Sequence, residues 1–430
     1  MLVPSYSRVK KMALTLNTEI VLTIDKPAAG GRMIARHEGQ VVFVAGAIPG
    51  ERVRARIDRV SKQLAFANTI EVLERSPDRR SVDVDWACGG SFYAHVEYDR
   101  QLRLKAEVVA DAFARIAKMP LAGAVPVTAS QEDGYRMRAR LHVQNGRFGF
   151  FREGTHELCD AEATRQLLPD TVAALRRLRN ALDTTRVTSC ELSENVTAAE
   201  RVALLELSPA AMPPNHVDAI EGISGLLFVD HQQGHLTVSY GSPYVSDRIP
   251  IATTTATLSH HVQSFFQGNR YLLARLVERV LAQVPAGAVT DLYAGVGLFA
   301  VSLAARGNNA IVAVEGDRSS ARDLESNGAH FGNAIHVQHL SVEHYLKRRG
   351  IQRPDTFLLD PPRTGMSPEA MSGVLAVKVP RVVYLSCDPA TLARDVKRFS
   401  EVGYRLEHIE AFDLFPNTAH IETLAVITRT

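Results

Sequence analysis

The residues of this chain best suited to chemistry are a cysteine and two acidic groups, each placed where a strand gives way to a turn. Cys387 follows Val382-Val383-Tyr384-Leu385-Ser386, a buried-strand pattern, and precedes Asp388-Pro389. Proline holds the residue before it extended and offers no ladder N–H, so the strand stops at a thiol. Ligands of open α/β sheets collect at the carboxyl ends of strands. Alone, Cys387 reads equally well as a small buried hydrophobe. A second stretch, Asp291-Leu292-Tyr293-Ala294-Gly295-Val296-Gly297, leads from a strand into a helix. Gly295 and Gly297 let backbone approach a ligand, and a helix N-terminus presents unpaired N–H donors. After the next strand comes Glu315, placed to accept hydrogen bonds from ribose hydroxyls. The pair points to an adenosine-containing cofactor.

The D-x-x-x-G-x-G form is that of S-adenosylmethionine methyltransferases; an NAD site is the rival reading and a purely structural turn the simplest one. Downstream, Asp360-Pro361-Pro362-Arg363 ends another strand. Methyltransferases of exocyclic base amines carry an aromatic ring where Arg363 stands, so the target shifts toward a carbon that must first be activated. A thiolate can activate it by adding to C6 of a pyrimidine, which makes C5 nucleophilic. A base must then remove the C5 proton. Glu422, opening the last strand, is the candidate, with His420 two positions earlier able to assist or compete. A surface carboxylate at a strand end is the alternative for Glu422.

These residues need elements to hold them. With 430 residues, 46% hydrophobic and 22% charged, the chain is long enough for several cores. A net charge of +2 gives no bulk argument for nucleic acid. The four cysteines, Cys88, Cys159, Cys190 and Cys387, are scattered, which argues against a disulfide framework. No run approaches the roughly 20 apolar residues of a membrane span, and the N-terminus lacks a signal-peptide core, so no membrane partner and a cytoplasmic location are expected. Residues 1–13 read as a flexible tail and 14–74 as a small β-barrel with Gly and Pro turns. Within the barrel, Arg52, Arg54 and Arg56 share one strand face, either contacting phosphates or merely solvated. Residues 75–255 read as a central α+β domain, with helices predicted over 98–116 and 161–182. From 256 to 430, a helix over 259–283 precedes alternating strands and helices, which indicates an α/β doubly wound, Rossmann-like parallel sheet ending in a hairpin.

Taken together, the chain from about residue 260 resembles the RNA uracil-5-methyltransferases, and residues 14–73 resemble the TRAM barrel, an OB-type RNA-binding module of the ribosomal-RNA branch. The resemblance rests on the 291–297 loop, the Asp360 loop, Ser386-Cys387-Asp388-Pro389, His420-Ile421-Glu422 and Phe265-Phe266-Gln267-Gly268-Asn269. It implies S-adenosylmethionine as cofactor, bound by Gln267, Tyr293, Gly295, Gly297, Glu315 and Asp360. It implies Cys387 as nucleophile and Glu422 as proton acceptor, in an enzyme that makes 5-methyluridine in RNA. Ribosomal RNA, specifically 23S, is expected ahead of tRNA, and a monomer is expected. Cytosine-5 methylation and a non-catalytic RNA-binding factor are the competing functions. The sequence departs from the family pattern at an iron–sulfur site: Cys88 and Cys159 match two of four cluster ligands, while Val82 and Ser91 occupy the others. Valine cannot ligate iron, so no cluster and no metal are expected, and Cys88 and Cys159 would be ordinary thiols. The stretch His339-Leu340-Ser341 offers no carboxylate to an adenine, and Leu298 replaces a polar contact.

Overall fold

In the N-terminal strands every second side chain is apolar and buried, the period-two signature of a sheet closed on a core. In the computed structural model these strands are β1 (Glu19–Pro27), β2 (Met33–His37), β3 (Gln40–Ala45), β4 (Arg52–Val60) and β5 (Leu64–Glu74). They form a closed barrel in the order β1-β2-β3-β5-β4, filled by residues such as Leu22, Ile24, Val44, Val53 and Ile57. The structure describes residues 14–430 except 62, 210, 215 and 231–234, so the expected tail at 1–13 lies outside the described residues. Arg52, Arg54 and Arg56 do project outward from β4, but each is matched by a carboxylate: Glu74, Glu71 and Glu19, at 3.1, 2.9 and 2.9 Å. That face is charge-balanced.

Helix α1 (Tyr98–Ala112) runs into a wider turn over Phe113–Ala117, and the short β6 (Val127–Thr128) follows. A seven-stranded sheet then forms from β7 (Arg138–Gln144), β8 (Arg147–Phe151), β9 (Leu158–Asp160), β10 (Val187–Glu194), β11 (Arg201–Leu207), β12 (Gly225–Asp230) and β13 (His235–Gly241), in the order β13-β12-β11-β10-β7-β8-β9. Helix α2 (Pro169–Ala181) supplies Ala174, Leu175 and Leu178 to its core. The helix predicted over 161–182 is thus shorter: Arg165 has φ +58°, and Pro169 sets the first helical turn. The helix predicted over 259–283 is also corrected. Its first part lies in a hairpin of β14 (Tyr244–Ile251) and β15 (Thr254–His261), and only α3 (Leu273–Ala282) is helical. Ser259, His260 and His261 are held extended by pairing with Ser246, Val245 and Tyr244. Cys88 and Cys159, expected as ordinary thiols, are joined in a disulfide with Cα atoms 5.9 Å apart. Their proximity comes from tertiary pairing: Cys88 bridges to Arg152 beyond β8, and Cys159 pairs with Phe150.

The C-terminal sheet contains β16 (Val289–Leu292), β17 (Ile311–Glu315), β18 (Ile335–His339), β19 (Thr356–Leu359), β20 (Arg381–Ser386), β21 (Tyr404–Phe412) and β22 (Glu422–Arg429). Its order is β18-β17-β16-β19-β20-β22-β21-β6, parallel from β18 to β20 and antiparallel at the β20–β22 and β22–β21 pairs. Connecting helices are α4 (Leu298–Arg306), α5 (Arg318–Gly328), α6 (Val342–Leu346), α7 (Pro368–Val377) and α8 (Pro389–Ser400). The division expected at residue 255 is crossed by one core: Val109 and Phe113 pack with Tyr384, Leu392 and Val396, and β6 pairs with β21.

A buried ion pair fastens α1 to the loop before β22. Lys105 Nζ donates to Asp413 at 2.5 Å and to the Phe415 carbonyl at 3.1 Å, with both side chains at most 1% exposed. Removing one partner would leave the other charge buried alone, at a cost of about 3–5 kcal/mol. We expect Lys105→Met to lower the calorimetric melting temperature markedly, and Lys105→Met with Asp413→Leu to recover much of the loss; an unchanged melting temperature in the single variant would contradict this account.

Candidate active site

Strands β16 and β19 are parallel neighbours from which the chain departs in opposite directions across the sheet, the switch point at which open α/β sheets hold ligands. Here a cavity of about 680 Å³ opens. The turn after β16 is built from unusual backbone: Tyr293, Gly295 and Gly297 have φ of +65°, +56° and +95°. For tyrosine this is a strained conformation that surrounding structure must enforce. Glu315, ending β17, does part of that enforcing. One carboxylate oxygen accepts the Gly295 N–H at 2.8 Å and the other accepts the Asp317 N–H at 2.6 Å. Asp317 in turn caps α5 by accepting the Ser320 N–H at 2.9 Å.

Cys387 is placed by the residues around it. Strand β20 is buried throughout from Val382 to Leu385, and Ser386 ends it. Asp388 caps α8 by accepting the Thr391 N–H at 2.8 Å, and Pro389 fills the first helical position. Only Cys387 is left between strand and cap. Across the sheet, the β20–β22 ladder pairs Ser386 with Thr423 in antiparallel register. The ladder ends there, and the next residue on each side, Cys387 and Glu422, lines the same cavity, near enough for the Glu422 charge to act on the thiol; Glu422 is 4% exposed and has a carboxylate oxygen without a partner among the described residues.

The cavity is acidic. Glu315, Asp317, Asp360 and Glu422 line it, with Arg363 the cation opposite them. Burial, then the neighbouring Asp360 charge, hold the Glu422 carboxyl well above the usual range, with Arg363 opposing. Enclosure raises Asp360 to about 7. Burial also pushes the Cys387 thiol up to about 11, aided by the charges of Glu422 and Asp360 and opposed by Arg363. Behind the loop, Asp291 is fully buried and likewise raised, by burial and then by Asp360. An excess of buried carboxyls suits a cationic ligand, and a sulfonium with an ammonium group meets that demand.

Of the residues singled out from sequence, Gln267, Tyr293, Gly295, Glu315, Asp360, Cys387 and Glu422 all line this cavity. Gly297 does not. It is required for packing, since a Cβ there would fall 2.7 Å from the Leu324 side chain on α5. His420 is exposed, edge-on to Phe415, and His339-Leu340-Ser341 also stays off the wall. Sequence reasoning missed Phe265 and Phe415 as wall residues and Arg363 as the local cation. The Phe265-Phe266 pair carried a signal. Phe266 is 3% exposed and stacked on His260 at 4.3 Å, whereas Phe265 is 67% exposed at the cavity, where an apolar ring gains nothing from water.

The sequence profile of the tRNA (uracil-5-)-methyltransferases matches residues 231–430, and that of the TRAM domain matches residues 14–70. A 23S rRNA (uracil(1939)-C(5))-methyltransferase, RlmD, of Halomonas elongata is 31% identical, aligning over 94% of this chain and 89% of its own length. The chain belongs to the RNA uracil-5-methyltransferase family. An uncharacterized RNA methyltransferase of Streptomyces coelicolor is likewise 31% identical, over 95% of this chain and 92% of its own. Among solved structures, the Pyrococcus abyssi tRNA (uracil-54, C5)-methyltransferase in complex with S-adenosyl-L-homocysteine shares the fold. Its TM-score is 0.75 at 23% identity, covering 95% of this chain and 99% of that one. This member of the family is an S-adenosylmethionine-dependent RNA (uracil-C5)-methyltransferase.

Two measurements check the site. Because its thiol is raised to about 11, Cys387 should be alkylated slowly by iodoacetamide at neutral pH, the rate rising about tenfold per pH unit as the thiolate forms; a plateau reached by pH 8 would contradict the assigned environment. Glu315→Ala removes the acceptor of two backbone N–H groups, and the loss of charge-assisted bonds of about 1.5–3 kcal/mol predicts S-adenosylhomocysteine binding weakened roughly tenfold to a hundredfold by calorimetry.

Proposed function

We propose that Cys387 is the nucleophile and Glu422 the proton acceptor, and that the substrate is 23S ribosomal RNA. The observation that supports this reading is the β20–β22 ladder, which ends at Ser386 and Thr423, next to a thiol and a buried carboxyl that line one acidic cavity. Gln267, Tyr293, Gly295, Glu315 and Asp360 hold S-adenosylmethionine, which when bound supplies an electrophilic methyl group. The Cys387 thiolate forms a bond to C6 of the uracil, and the electron pair of the C5–C6 double bond becomes available at C5 for methylation. Glu422 then takes the C5 proton, the double bond re-forms, and the C6–sulfur bond breaks to return the thiolate. A stacked, paired uracil hides C6, so the base must leave its helix to reach the cavity.

Ribosomal RNA is favoured by relatives named as 23S rRNA uracil-C5 methyltransferases at 31% and 30% identity, which align over nearly the whole chain. The barrel does not choose between substrates, because the fold of the archaeal tRNA enzyme matches 95% of this chain. No described helix is long and apolar enough to cross a membrane; an RNA substrate favours the cytoplasm.

Mass-spectrometric mapping of 5-methyluridine in ribosomal and transfer RNA, with and without the protein, decides the substrate. Cys387→Ala should abolish methylation, and turnover by that variant would defeat the mechanism. Glu422→Gln should accumulate a covalent RNA–protein adduct visible on denaturing gels. Since Glu422 must be anionic to accept the proton and burial raises its pKa, resolution of the adduct in the wild type should slow as pH falls, and the slowing should set in at a higher pH than an ordinary solvent-exposed carboxyl would give.

A further inference from the structure

One buried ionisable group has no task in the chemistry above. Asp291, in β16, is fully buried and does not line the cavity, and neither of its carboxylate oxygens has a hydrogen-bond partner among the described residues. An ionised carboxyl so placed is costly, and it holds a proton unless something offsets the charge. Its neighbours do the reverse. In the sheet Asp291 pairs with Ala313 of β17 on one side and with Leu358 of β19 on the other. Side chains alternate along strands, so the acids two residues beyond those partners, Glu315 and Asp360, continue the same face. Both act on Asp291 as negative charges; the Ala300 N–H on α4 favours its charged form, and no cation joins it. Glu315 is already committed, since its two oxygens accept the Gly295 and Asp317 N–H groups. Asp360 has no such support, and enclosure alone sets its demand for a proton. It borders the cavity together with Arg363, Cys387 and Glu422.

We propose that Asp291 and Asp360 form a proton-holding pair that tells the cofactor from its product by charge. The pair releases a proton when the sulfonium of S-adenosylmethionine occupies the cavity and keeps it when the neutral thioether of S-adenosylhomocysteine does. The proposal rests on the reading above that Asp360 borders the cofactor, and it makes Asp291 a specificity residue acting through Asp360. The position of the positive charge follows from the reaction. The methyl passes to C5 while Cys387 is bonded to the adjacent C6, so the sulfur that carries the methyl lies close to Cys387. Asp360 is near enough for its charge to act on both the Cys387 thiol and Glu422, and hence on a sulfonium delivered to the same place. A cation there favours ionised Asp360. One proton leaves to solvent as one sulfonium enters, and the net charge of the site is unchanged. After methyl transfer the thioether no longer offsets the carboxylate, the pair recovers a proton from water, and its hold on the product falls. Carboxyls that oppose one another titrate as a unit, so Asp291 raises the pH at which Asp360 gives up its proton.

Titration calorimetry of the full chain with S-adenosylmethionine and with S-adenosylhomocysteine, each in phosphate and in Tris, counts the protons released, because the two buffers take up protons with different heats. The wild type should release up to about one proton more with S-adenosylmethionine, and its preference for that ligand should rise with pH around neutrality by at most about tenfold per pH unit. The sign identifies the source: a site that must lose a proton to bind gains affinity as pH rises, whereas loss of a proton from a ligand's ammonium group would weaken binding to an acidic cavity. Asp291→Asn, its fold checked by circular dichroism, should release fewer protons and show the rise displaced downward by about one pH unit or more. A profile equal to that of the wild type would remove Asp291 from the pair. If the variant does not fold, the wild type still decides, because equal proton release with the two ligands and a constant preference from about pH 6 to about pH 8.5 would overturn the proposal. If Asp360→Asn bound both ligands as the wild type does, the placing of the cofactor against Asp360 would fail. Weakened S-adenosylmethionine binding by Asp360→Asn beside an unaltered profile in Asp291→Asn would keep that placing and defeat the pair alone.

Discussion

The β20–β22 ladder is the contact on which the proposed chemistry depends. Side chains alternate across a strand, so a slip of one residue in this pairing would turn Glu422 to the other side of the sheet from Cys387. The slip is prevented by what lies on each strand. Val382 to Leu385 and Leu424 to Ile427 are almost completely buried, and their two faces serve different cores: Leu385 and Leu424 pack with the α3–α4 side, Tyr384 and Ala425 with the α1–α8 side. Hydrophobic burial on both faces thereby sets the register of a pair whose interaction is unfavourable for the thiolate, since the Glu422 charge raises the thiol's demand for a proton.

That cost is inherent in the cavity. Three carboxyls, those of Asp291, Asp360 and Glu422, are enclosed, with the Asp360 charge opposing both of the others, and Arg363 tempers the effect on Glu422. In water such a cluster would be unremarkable; in a low-dielectric site the charged forms are disfavoured until a cation arrives. A ligand bearing a sulfonium relieves the repulsion, and relief of that kind favours its binding. The same enclosure keeps the thiol protonated at rest, which shields a strand-end cysteine from adventitious oxidation or alkylation.

The N-terminal half contributes more than a frame. Helix α1 completes the C-terminal core and, through Lys105 and Gln101, holds the 413–417 loop: Gln101 donates to the Asn417 side chain at 2.9 Å and accepts the Asn417 N–H at 2.9 Å. Arg80 donates to the same Asn417 oxygen at 2.8 Å. Asn417 itself has φ +62°, a conformation asparagine tolerates better than most residues. The loop that leads into β22 and Glu422 is thus positioned by residues some three hundred positions away in the chain.

The division between what was legible and what was not follows from the range of the interactions involved. Short-range patterns determined the alternating strands and helices after residue 284, the barrel, the glycine turn at 293–297 and the strand-ending thiol, because each depends on backbone preferences of neighbouring residues. They failed where tertiary pairing overrode local helical spacing, at 259–261, and where Arg165 and Pro169 delayed a helix. Three things were decided only in three dimensions: the join of Cys88 to Cys159 across 71 residues of sequence, the neutralisation of Arg52, Arg54 and Arg56 by glutamates on other strands, and the placement of Cys387 near Glu422. Sequence supplied the thiol and the carboxyl; the antiparallel register, chosen by burial on both faces of the sheet, brought them together.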